Sequence, residues 1–147
     1  MGRGAQQAGA LRGIAIVGRP GTGEILAAAS VQRDSETGEI ELSDAPIAFS
    51  NSYQAGSVFK LVTVAAAVES GQVDASTRFE VPTHLQVEDR PFNDKDEYFV
   101  RSMSVTDIVA ESSNVGTIKI AQGLGGQALH DALVAFGFGA RTGIDHP

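Results

Sequence analysis

Ser57 and Lys60 stand three residues apart at the front of the apolar run 61–68. On a helix, positions i and i+3 share a face, so hydroxyl and amine point the same way. A helix N-terminus is electropositive and offers free backbone N–H donors, which favours a developing alkoxide. The neighbours Val58, Phe59, Leu61 and Val62 would desolvate the amine, lower its pKa and make it available as a base. A serine within reach of a neutral amine is an activated nucleophile, and Gly56 before it leaves room for a substrate carbonyl. The tetrapeptide alone is a weak signal. Serine is a common N-cap, and a first-turn lysine can extend its amine to water.

Ser112 and Asn114 form a second unit, Ser-x-Asn, after a short capped segment. On a tight link between helices, a hydroxyl can relay a proton and an Asn side chain can bind a substrate amide. The plainer reading is a Ser/Asn helix boundary, where such residues cap.

Other polar groupings carry less. Gly18 and Gly23 have the spacing of a phosphate-binding loop, but Glu24 and Ile25 stand where that loop needs Lys and a hydroxyl. A carboxylate there would repel a triphosphate, and a Gly-rich hairpin turn is the better reading. His84, His130 and His146 lack metal-ligand spacing, and His130 falls on the exposed face of its helix. Glu88, Asp89, Asp94, Asp96 and Glu97 read as a solvated charged loop without the Asp/Gly spacing of a calcium loop. No pattern calls for a metal or cofactor. The net charge of -7 over 147 residues argues against a nucleic-acid or anionic-membrane partner. The absence of Cys excludes thiol chemistry and disulfides.

The elements that must position these groups follow from pattern. Residues 1–12 read as loose. Ile14, Ile16 and Ile25 mark two strands around the turn at Pro20, Gly21 and Gly23, and residues 31–46 read as a surface excursion. Thr-Gly-Glu-Ile occurs at 22–25 and again at 37–40, which reads as coincidence. Residues 57–70 form a buried helix closed by Gly71. Residues 77–82 are a short strand, and 87–99 a charged loop. Ser104 and Asp107 make a capping box for a helix ending near Ser112. A second helix puts Val115, Ile118 and Ala121 on one face, and a third does the same with Leu129, Leu133 and Phe136.

Together the Ser-x-x-Lys and Ser-x-Asn units resemble the active-site set of penicillin-binding proteins and serine β-lactamases. Similarity to class B penicillin-binding transpeptidases extends over "TGEILAAAS", "GSVFKLVTVAAAVESG", "SVTDIVAESSNVGTIKIAQGLG" and "FGFGARTGID", in the family's order. The resemblance implies an α/β fold of α+β type, β-lactamase/transpeptidase-like, with N-terminal strands, a helical part and an incomplete sheet. It implies a partial domain over 13–147. It also implies a serine-type D-Ala-D-Ala transpeptidase that cross-links peptidoglycan through an acyl-enzyme. Ser57 would attack the stem peptide, Lys60 would take its proton, and Ser112 would relay a proton to the leaving amine. Asn114 would hold the acyl amide and orient Lys60, and the Ser57 N–H would supply half the oxyanion hole. The expected partners are the D-alanyl-D-alanine stem peptide, β-lactams as covalent inhibitors and cell-wall synthesis proteins. The expected place is the outer face of the bacterial cytoplasmic membrane.

Two departures qualify the resemblance. None of Lys60, Lys95 and Lys119 precedes Thr/Ser-Gly, so the third motif is absent, and Tyr53-Gln54-Ala55-Gly56 lacks the family's Pro. The expectation is therefore a piece of a larger protein or a shortened reading frame, without signal or anchor, that labels poorly with penicillin alone. A β-lactam sensor, a serine β-lactamase of the same fold and a non-catalytic relative remain alternatives.

Overall fold

The computed structural model describes residues 2–45 and 47–144. They fall into two compact units, one running to Gln54 and one from Ala55 to Ile144. Among the described residues, no helix is long and apolar enough to cross a membrane.

The first unit is a three-stranded antiparallel sheet with two short helices. Its elements are α1 (Gly2–Gln7), β1 (Arg12–Gly18), β2 (Ile25–Arg33), β3 (Ile40–Leu42) and α2 (Ile47–Ser50), and β2 lies between β1 and β3. The expected hairpin at Pro20 is present, with Ala15 opposite Ala29. Residues 31–46 are not an excursion: β2 runs on to Arg33 and pairs with β3, Gln32 facing Glu41. Gly2–Gln7, read as loose, is helical.

The two Thr-Gly-Glu-Ile copies turn the chain by the same chemistry. Gly23 and Gly38 have φ of 73° and 72°, a conformation that costs glycine little. Arg19 N–H donates to the Glu24 carbonyl at 2.8 Å, and Asp34 N–H to that of Glu39 at 2.8 Å. Each Thr hydroxyl accepts from the following Glu N–H at 3.3 Å. The recurrence is one turn used twice, each copy starting a strand at its Ile. Glu24 pairs with Arg19 at 2.6 Å, so the Gly-rich stretch is a hairpin turn whose carboxylate is engaged.

The second unit carries the candidate chemistry. A 3-10 turn, Gly56–Phe59, leads directly into α3 (Lys60–Glu69). Then come β4 (Arg78–Pro82), β5 (His84–Val87), β6 (Arg90–Asn93), β7 (Val100–Ser104), α4 (Val105–Ala110), α5 (Asn114–Leu124) and α6 (Gly126–Ala135). β4 pairs with β7, and β5 with β6, both antiparallel. Residues 87–99 thus contain a strand where a loop is expected. The β5–β6 turn is Glu88-Asp89, with Glu88 at φ 51°, and it lacks the Asn-Gly or Asp-Gly signature of a two-residue hairpin. The capping box is formed: Ser104 Oγ accepts from Asp107 N–H at 3.1 Å, and Asp107 accepts from Ser104 N–H at 2.8 Å.

The core joins Ala67, Val73, Val81, Met103, Val105, Ile108, Val115 and Ile120. Helix α3 is only partly buried. It sinks Val62, Thr63 and Ala67 but leaves Leu61 56% exposed, and Val58 before it is 72% exposed. Helix α5 buries Val115 of the expected face together with Gly116, Thr117 and Ile120, while Ile118 and Ala121 are half-buried. Gly116 explains the shift. A β-carbon there would lie 2.6 Å from Ile108 Cγ1 and 2.9 Å from Ser113 Oγ, so only glycine lets α5 approach α4 this closely. Gly116→Ala should destabilise by about 1–3 kcal/mol despite its better helix propensity. Equilibrium urea unfolding checks it; an unchanged midpoint would contradict the close packing.

Candidate active site

Ser57 lies in the 3-10 turn, and Lys60 is the first residue of α3. In a 3-10 turn, side chains at i and i+3 eclipse, so the two share a face more closely than on an α-helix. The Lys60 amine donates to Ser112 Oγ at 3.1 Å and also to the Ser112 carbonyl. Burial lowers the Lys60 pKa from its ordinary 10.5, and the Asp94 charge opposes part of that shift. Ser57 is exposed, and among the described residues its hydroxyl has no hydrogen-bond partner. The structure therefore joins Lys60 to Ser112 directly and leaves the Ser57 oxygen open.

Ser112 has φ 54°, a left-handed conformation that costs a side-chain-bearing residue roughly 1–2 kcal/mol. It occupies the post-cap position of α4. Its N–H donates to Val109 O at 3.2 Å, and Ser113 N–H to Ile108 O at 2.9 Å. That pairing is the Schellman closure, whose left-handed residue is usually glycine. Serine here sacrifices backbone ease and places its hydroxyl and carbonyl together on the Lys60 amine. Ser112→Gly should hold or raise stability by up to about 1 kcal/mol while removing the hydroxyl from Lys60. Thermal unfolding of Ser112→Gly and Ser112→Ala side by side checks this. Equal loss of stability in both would contradict the strain argument.

Asn114 opens α5. Its Nδ2 donates to the Asn93 carbonyl at 2.9 Å, and among the described residues the Lys60 amine bonds Ser112 alone. Asn114 shares with Lys60 the lining of an open cavity of about 270 Å³, walled also by Phe59, Thr63, Phe92, Thr117, Ile118 and Ala121. Ile118 and Ala121, expected on one helix face with Val115, line this cavity. Phe59 meets the ring of Phe138 edge-on at 5.0 Å.

Asp94 is the residue that pattern missed. Read as one acid of a solvated loop, it is half-buried and accepts from Ser113 Oγ, Tyr98 Oη, Asn114 N–H and Val115 N–H at 2.6, 2.6, 2.6 and 3.0 Å. Burial pushes its carboxyl up, but the bonds from Ser113, Tyr98, Val115 and Asn114 outweigh this and hold it below 3.8. Burial and the Asp94 bond push the Tyr98 hydroxyl up to about 12. Arg101 stacks 5.3 Å from the Tyr98 ring centre and grips Glu111 through two bonds of 2.7 and 2.8 Å. The Ser112 turn is thus braced at both ends. His84 instead bonds Asn93 Oδ1 at 2.8 Å on the β5–β6 ribbon, and His130 is exposed on α6. His146 lies outside the described residues.

A Ser-x-x-Lys turn leading into a helix, and a Ser-x-Asn turn hydrogen-bonded to that lysine, in a mixed α/β chain with small incomplete sheets, define the β-lactamase/transpeptidase-like class. The family model described as "Penicillin binding protein transpeptidase domain" matches residues 13–147, and the chain belongs to that family. It is 33% identical over 132 residues to penicillin-binding protein PbpB of Mycobacterium tuberculosis, covering 86% of this chain and 19% of the relative. It is 27% identical over 143 residues to the probable peptidoglycan D,D-transpeptidase PbpC of Pseudomonas aeruginosa, covering 95% of this chain and 25% of the relative. Its fold is similar to that of penicillin-binding protein 3 of M. tuberculosis complexed with ampicillin. The TM-score is 0.83 at 29% identity, covering 99% of this chain and 34% of that one. The chain thus spans a quarter or less of the length of these curated relatives.

Proposed function

We propose that residues 13–147 are part of a peptidoglycan D,D-transpeptidase that works through an acyl-enzyme on Ser57. The observation that carries this is the Lys60 amine, desolvated and donating to the Ser112 hydroxyl at 3.1 Å, three residues from an unencumbered Ser57. In the proposed reaction the Ser57 oxygen bonds to the carbonyl of the penultimate D-alanine as its proton passes to Lys60. The peptide bond to the terminal D-alanine breaks, and Ser112 passes the proton to the departing amine. The Ser57 N–H, at the start of the helical turn, contributes to the oxyanion hole. Asn114 binds the acyl amide through its carbonyl oxygen, its Nδ2 being committed to Asn93. An amine of a second stem peptide then takes the acyl group from Ser57. A β-lactam acylates the same oxygen, which fits the ampicillin complex of the M. tuberculosis relative. The whole protein would act at the outer face of the cytoplasmic membrane with other cell-wall synthesis proteins.

The 147 residues hold no Lys-Thr/Ser-Gly, so by themselves they should bind penicillin slowly and without turnover. The exposed Val58, Leu61, Val134 and Phe136 suit apolar surface that further chain covers. A fluorescent-penicillin gel tests the proposal. The isolated chain should give a faint band. A chimera placing residues 13–147 in the aligned stretch of M. tuberculosis PbpB should give a strong one, blocked by ampicillin. A folded chimera that stays dark beside a bright parent would overturn the proposal.

A further inference from the structure

We infer that Asp94 is a positioning residue, whose carboxylate fixes the Ser112–Asn114 turn against Lys60. The inference rests on the catalytic reading of that turn but is tested separately from it.

The turn has two supports. On its α4 side, backbone bonds close the helix around Ser112. On its α5 side, the first backbone donors of the helix have no partner within the helix, and two of them point at one carboxylate oxygen. Asp94 Oδ1 accepts from Asn114 N–H at 2.6 Å and Val115 N–H at 3.0 Å, while Oδ2 accepts from Ser113 Oγ and Tyr98 Oη, both at 2.6 Å. A carboxylate at a helix N-terminus is also favoured by the helix dipole. Asp94 is itself held, since its N–H donates to the Thr83 carbonyl at 3.0 Å. The Ser113 hydroxyl donates to Asp94 and accepts from Gly116 N–H at 2.8 Å, so Asp94 also orients the α5 cap. Every residue of the Ser-Ser-Asn turn except Ser112 thus bonds to Asp94, and Ser112 is the residue left to face Lys60. With the neighbours anchored, the left-handed Ser112 backbone cannot relax away from the amine. Asp94 also acts on Lys60 at a distance, since its negative charge favours the protonated amine.

Backbone amide exchange in the 147-residue chain, read residue by residue by NMR, tests this. Asp94→Ala should speed exchange at Asn114 and Val115 by about tenfold to a hundredfold, the range of a charge-assisted bond. Ile120 in the core of α5 should stay unchanged. Asp94→Asn should show a smaller increase, because an amide oxygen still accepts from both N–H groups. It should also lower the Lys60 titration midpoint by removing the charge. If Asp94→Ala fails to fold, Asp94→Asn carries the test. Unchanged exchange at Asn114 and Val115, or a uniform increase across the unit, would overturn the inference. Penicillin labelling of the PbpB chimera reports on the catalytic reading alone. A folded chimera that stays dark beside the expected exchange pattern would refute the catalytic reading and leave Asp94 as the anchor of the turn.

Discussion

Ser57→Ala is expected to abolish covalent penicillin labelling while leaving the fold intact. In a transpeptidase domain that carries these residues with the third motif, losing the nucleophile should reduce turnover by about 10⁶-fold, as in other serine acyl-transfer enzymes. The structural cost should be small, because Ser57 is exposed and its hydroxyl holds no partner among the described residues. Surface changes of this kind stay within about 0.5 kcal/mol. The contrast matters more than either half: a residue with no measurable role in stability and a complete role in acylation is a nucleophile. Labelling and thermal unfolding of the same preparation check it. Undiminished labelling in the variant would move the chemistry to another serine.

Lys60→Ala should slow acylation by about 10²–10⁴-fold, the range for a lost general base. Lys60→Arg should not restore the rate, since guanidinium stays protonated in proteins. The reason lies in the amine's surroundings. Burial lowers its pKa from 10.5, and Asp94 restores only part of the shift. With the free Lys60 amine as the proposed base, acylation should rise with pH through this lowered value, and Lys60→Ala should lose that rise. Stability carries the same sign. Between the lowered pKa and 10.5, the unfolded chain holds a proton on Lys60 that the folded chain does not, so raising the pH across this window favours folding. Tyr98 acts oppositely: its hydroxyl, raised from 10.0 to about 12, contributes stability below pH 10 that is lost as pH rises through the folded value. A flat pH–rate profile in the wild-type protein would remove Lys60 as the base.

Much of this was legible in sequence wherever one local rule decided the outcome. The capping box at Ser104 and Asp107 and the hairpin at Pro20 are nearest-neighbour chemistry, and both form as expected. Spacing also puts Ser57 at the front of the helix, but it cannot distinguish the 3-10 turn that holds Ser57 from the α-helix that Lys60 opens. Illegible features depend on partners far along the chain. Asp94 resembles any acid of a charged loop until residues 113–115 meet it, about 20 positions later. The β5–β6 ribbon carries no hairpin signal, because Glu88 takes a left-handed turn without glycine. Periodicity finds Val115 on the buried face of α5 but not Gly116, because it weighs side chains and glycine has none. The Ser-x-Asn spacing picks out the Ser112 hydroxyl, but the left-handed backbone that aims it at Lys60 has no sequence signal.

Ser57 is the proposed acylated oxygen. Intact-mass measurement and peptide mapping of the 147-residue chain after prolonged incubation with ampicillin test it most directly. The expected result is a slow, sub-stoichiometric gain of one intact ampicillin mass, confined to the peptide containing Ser57 and absent from Ser57→Ala. An adduct on a different residue, or one that persists undiminished in Ser57→Ala, would rule out Ser57 as the acylated oxygen.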